Sequence, residues 1–117
     1  LFRSHSLDML SDHRVDLELS VEALPLLDGA ADLAQMGLFP AGGYRNEKLY
    51  APQIDHLEKV SRTYRDFLFD TQTSGGLMMA CPPEDAEEIV ALAKRHGFDR
   101  AGVIGRFKPG TGRIVCV

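Results

Sequence analysis

Two glycine pairs in this sequence stand beside side chains suited to meeting anions. Gly42-Gly43 runs into Tyr44-Arg45-Asn46, and Asp70-Thr71-Gln72-Thr73-Ser74 runs into Gly75-Gly76. An arginine grips two phosphate oxygens in a fork, and an asparagine amide donates to a third. The second stretch sets three hydroxyls, one amide and two glycines within seven residues, and a glycine backbone lets a ligand come close to its N–H. Phosphate handling is the chemistry such a set would serve. Neither pair is a Walker loop, because no Gly-Lys-Ser/Thr follows. Each also has a plain structural explanation: a tight turn for the glycines, a carboxylate partner for Arg45 and a turn cap for Asn46.

Other chemistry is harder to build. Asp8, Asp12 and Asp16 recur every four residues, but the predicted helix ends between them, so no shared metal face is expected. His5, His13, His56 and His96 lack ligand spacing. Cys81 and Cys116 both fall in predicted apolar strands, where a buried thiol stays protonated and inert. No catalytic residue and no metal ligand is expected in this stretch.

The elements that must carry the two glycine segments belong to one ordinary domain. The chain has 117 residues, 44% hydrophobic and 26% charged, enough for a core without disulfides. Its longest uncharged apolar stretch, Gly75 to Pro83, falls well short of the ~20 residues that span a bilayer, and no signal segment opens the chain. A soluble cytoplasmic protein is expected, with no membrane partner. Because residue 1 is Leu and not Met, a fragment of a longer chain is expected as well. Net charge is −4 and uneven: residues 1–93 hold 7 basic and 16 acidic side chains, whereas residues 94–117 hold 6 basic ones against Asp99 alone. Without interleaved aromatic residues this basic end predicts no nucleic-acid partner.

Along the chain, residues 1–14 read as the remainder of a first helix closed by the polar run Ser11 to Arg14. Val15, Leu17, Leu19 and Val21 alternate with polar residues, predicting a half-buried strand. Asp28 is placed as the cap of a short helix with Ala31, Leu33, Ala34 and Met36 inward. The segment from Phe39 to Tyr50 reads as irregular, and Glu58 to Phe69 as an amphipathic helix ending at Asp70. Leu77 to Cys81 has the continuous apolar character of a central strand. Pro82 to Gly97 predicts a helix with acids at its start and Ala86, Ile89, Val90, Leu92 and Ala93 on its core face. Ala101 to Gly105 and Arg113 to Val117 complete an α+β fold, an open sheet of about four strands covered by helices.

Taken together, Phe39-Pro40-Ala41-Gly42-Gly43-Tyr44-Arg45-Asn46 and Phe69-Asp70-Thr71-Gln72-Thr73-Ser74-Gly75-Gly76-Leu77 resemble the C-terminal domain of selenophosphate synthetases, of the aminoimidazole ribonucleotide synthetase-like superfamily. Ala23 to Ala30, Pro82-Pro83-Glu84 and Ala101 to Gly105 match in order. Thr71 stands where the family has Pro, Tyr44 where Thr is common, and Ala41 separates Pro40 from the glycines. The resemblance implies a full-length enzyme that turns ATP, selenide and water into selenophosphate, AMP and phosphate with Mg2+. It also implies a homodimer and an N-terminal domain of the same chain that carries the nucleophile and most metal ligands, so this stretch alone should be inactive. Gly42, Gly43, Arg45 and Asn46 would then form one loop, and Asp70, Gln72, Thr73, Ser74, Gly75 and Gly76 another, both facing a cleft that handles phosphate groups. Two other readings remain open at this point: a sister ATP enzyme of purine synthesis, thiamine phosphate phosphorylation or hydrogenase maturation, and a non-catalytic module that binds a ligand or partner.

Overall fold

A computed structural model of the chain describes residues 2–10, 14–72 and 75–117, with side chains from His5 onward. The predicted polar run at Ser11, Asp12 and His13, and the candidate residues Thr73 and Ser74, lie outside the described residues. Helix α1 spans Phe2–Leu10, α2 Ala30–Gln35, α3 Ala41–Tyr50, α4 Arg62–Phe69 and α5 Ala86–Arg95. Strands are β1 Val15–Leu19, β2 Ile54–Asp55, β3 Gly105–Pro109 and β4 Ile114–Cys116, in the sheet order β2-β4-β1-β3. β1 is antiparallel to β3, while β1 with β4 and β2 with β4 are parallel. The result is the expected α+β class with a four-stranded open sheet.

Alternation builds the core. Leu17 and Leu19 of β1 lie in register with Ile114 and Cys116 of β4, and all four are buried on one face of the sheet. Leu10 of α1, Leu68 and Phe69 of α4, Ile54, Leu57 and Val21 close over them. Residues two apart in a strand share a face, so the period of two in β1 was sufficient to place it. Burial also pushes the Cys116 thiol up to about 11, with the nearby carboxylates of Glu58 and Asp55 adding to the effect.

Several expectations are corrected. Residues 41–50 are not irregular but form α3: Pro40 stands just outside its first turn, where its missing N–H costs nothing. Leu77 to Cys81 makes no strand; Leu77 is 99% exposed, and the segment passes α1, where the Ser6 hydroxyl donates to the Met78 sulfur at 3.7 Å. Cys81 is accordingly exposed, not buried. The strand expected at Ala101 to Gly105 begins only at Gly105 and runs to Pro109. The predicted Glu58 to Phe69 helix starts at Arg62, capped by Ser61, whose hydroxyl accepts from the Tyr64 N–H. Gly29 and not Asp28 precedes α2, while Asp28 pairs with Arg100. The apolar faces expected inward on α2 and α5 bury nothing fully, with Leu33 and Leu92 about half exposed. Periodicity shows that a helix has an apolar side but not that another element covers it.

The basic end is not a free patch. Arg106 and Lys108 both pair with Glu18, Arg113 grips Asp55 through two nitrogens, and Arg100 pairs with Asp28. Among the described residues no helix is long and apolar enough to cross a membrane.

These pairings set an acid limit. Asp16 accepts from the backbone N–H of Arg113 and of Thr111 at 2.9 and 2.8 Å, and those bonds hold its carboxyl below the usual range. Lys108 and Arg106 do the same for Glu18, and Arg113 for Asp55. A lowered folded-state pKa adds stability that is complete above the unfolded value of about 4 and is lost as pH falls through the folded one. The melting temperature is therefore expected to fall as pH drops below about 4, and Asp16→Asn should flatten that slope. Equal slopes for both proteins in thermal melts would remove Asp16 from the account.

Candidate functional site

The two glycine segments meet. Gly42 and Gly43 lie in the first turn of α3, Arg45 and Asn46 follow in its second, and Asp70 begins where α4 ends. The loop expected at residues 42–46 is thus helix. In a helix, residues three and four apart share a face, so Gly42, Arg45 and Asn46 form one stripe along α3. That stripe faces the end of α4 and the segment after it. A methyl on Gly42 would lie 2.6 Å from Thr71 Cγ2, and the Asn46 amide donates to the Phe69 carbonyl at 2.9 Å.

The glycines serve contact and not unusual backbone. None of Gly42, Gly43 and Gly76 has a positive φ. Gly43 is buried because the Phe39 ring occupies the space of its absent Cβ, whose nearest ring atom would be 2.1 Å away. The Phe39 ring in turn meets Tyr44 edge-on, centroids 5.4 Å apart. Gly75 lies against the Gln72 side chain, whereas Gly76 stands open.

The next stripe of α3 ties it to α4. Glu47 takes Arg65 and Arg62 together, Arg62 also closes on Asp66 at 2.6 Å, and its guanidinium sits 5.8 Å from the Tyr44 ring centroid. Sequence reasoning missed Glu47, Arg62 and Arg65; the signal lay in the four-residue step from Gly43 to Glu47, invisible while the segment reads as a loop. With Arg62 and Arg65 neutralised, Arg45 differs. It is exposed, and among the described residues it has no carboxylate within 4.0 Å, so the predicted carboxylate partner is missing. Pro40 offers no side chain to the first-turn N–H groups of α3. An unpaired guanidinium beside the positive end of a helix favours an anion.

A family model described as AIR synthase related protein, C-terminal domain, matches residues 2–117. The chain belongs to that family. Its relatives include the selenide, water dikinase of Clostridioides difficile strain 630, 34% identical over 97% of this chain and 32% of the relative. That of Pelobacter propionicus is 38% identical over 89% of this chain and 30% of its own length. Selenide, water dikinase 2 of Peptoclostridium acidaminophilum is 40% identical over 90% and 30%. The chain thus spans about a third of the length of the curated relatives it matches. Of the two free thiols in this α+β unit, Cys116 is buried and its thiol is pushed up to about 11, whereas Cys81 is exposed.

Proposed function

We propose that this chain is the C-terminal domain of a selenide, water dikinase, acting in a longer enzyme that converts ATP, selenide and water to selenophosphate, AMP and phosphate. The observation that carries the reading is the meeting of the Gly42-Arg45-Asn46 stripe with the segment that starts at Asp70. Together they make one wall of a phosphate-handling cleft whose other wall is an N-terminal domain of the same chain. Arg45 is the ligand of that wall: its fork matches two phosphate oxygens and, with no carboxylate partner among the described residues, loses none when it turns to them. Among the described residues of this domain no three His, Cys, Asp or Glu side chains converge. Its part is to orient phosphate and to keep water from a labile intermediate.

In the full-length enzyme, Arg45→Ala is expected to lower selenide-dependent AMP formation at least tenfold, about 1.4 kcal/mol of barrier. Arg45→Lys should recover only part, since an ammonium holds one oxygen where the guanidinium fork holds two. A wild-type rate for Arg45→Ala with an unchanged melting temperature would remove Arg45 from the site.

A further inference from the structure

Asn46 is a sequence candidate for phosphate, yet its amide is directed elsewhere. It donates at 2.9 Å to the carbonyl of Phe69, 23 residues away. That carbonyl closes α4, and Phe69 itself is 1% exposed. The last carbonyls of a helix have no partner within it and are most often satisfied by a left-handed glycine just beyond. α4 has no such ending: the residue after it, Asp70, is extended, with φ −58° and ψ 145°. The donor therefore comes from another helix. One turn earlier on the same face of α3, Gly42 receives Thr71. The two contacts fall on Phe69 and Thr71, either side of Asp70, and so define the direction in which the chain leaves α4 toward Gln72.

We infer that Asn46 is a positioning residue: it latches α3 to the end of α4 and, with Gly42, sets the course of residues 70–72 along the wall of the cleft. Its donor faces a backbone carbonyl, and Arg45, its neighbour on the stripe, remains for the anion. The inference rests on the proposed function above for its effect on catalysis, but its structural part is measured separately.

The test uses the full-length enzyme with Asn46→Asp. The substitution keeps the shape, replaces the donor with an oxygen, and sets a carboxylate against the carbonyl end of α4, where the helix dipole opposes it. Amide exchange across residues 70–72 is expected to quicken at least tenfold while β1 and β4 exchange at the wild-type rate. The turnover number should fall at least fivefold. Unchanged exchange at 70–72, or equal acceleration throughout the sheet, overturns the latch. Faster local exchange with a wild-type turnover number also overturns the positioning role, and the Arg45 variants then decide what else falls. If Arg45→Ala remains impaired, the phosphate wall stands without Asn46; if Arg45→Ala is also wild type, the proposed function fails with it. Should Asn46→Asp not accumulate as folded enzyme, Asn46→Ala is judged by the same two measurements.

Discussion

Phe69→Ala is expected to destabilise the chain by about 3–5 kcal/mol, the range for removing a fully buried aromatic ring. Phe69 is the largest of the fully buried side chains, 1% exposed, and it belongs to the cluster that joins α1, α4, β1, β2 and β4. Its neighbours come from four separate stretches of chain, so none can follow the missing ring without leaving its own partners, and a cavity remains. A domain of this size commonly has 5–15 kcal/mol in total, so the substitution removes a large share. Urea unfolding followed by far-ultraviolet circular dichroism measures it, and a loss below about 1 kcal/mol would show that the core closes without the ring. Because Phe69 also presents the carbonyl that Asn46 holds, the same core residue sets both the sheet cover and the start of the 70–76 segment.

Gly105→Ala is expected to cost about 1–3 kcal/mol or more through overpacking. Gly105 opens β3 opposite Leu19 of β1, and a methyl there would lie 2.2 Å from the Glu18 carbonyl oxygen, with Leu17 Cδ1 at 3.3 Å. A backbone oxygen within a paired strand cannot turn aside as a side chain does. β3 must then move from β1 and loosen the ladder that also aligns Arg106 and Lys108 with Glu18. The comparison is Gly76→Ala, where the methyl meets nothing within 4 Å and the change should stay within about 0.5 kcal/mol. Thermal melts of both variants decide the matter: equal stability would mean that β1 and β3 separate at no cost.

The sequence was readable where a local pattern coincided with burial. Val15 to Val21 alternates, and β1 follows with Leu17 and Leu19 inside; Ile114 and Cys116 behave alike. Acids ahead of α5 and His96-Gly97 behind it bounded that helix well. Leu77 to Cys81 had a strand's composition, but pairing needs a neighbouring edge, and composition does not supply one. β2 is two residues long, too short for any period. For α3 the misleading residues were the glycines themselves, each costing a helix interior about 1 kcal/mol; Thr71 and the Phe39 ring fill the space they leave.

By itself the sequence determined the α+β class and the strands built on Val15 to Leu19 and Ile114 to Cys116, and it singled out Arg45, Asn46 and the Asp70 to Gly76 segment by residue type. Tertiary structure alone decided what each meets. A helix converts the spacing of Gly42, Arg45 and Asn46 into one face, and only the docking of that face on the end of α4 separates the paired amide of Asn46 from the guanidinium of Arg45, which meets no carboxylate among the described residues. The reason is physical: residue type sets which bonds a side chain is able to make, while the partner that takes up a donor comes from a part of the chain that no local pattern names.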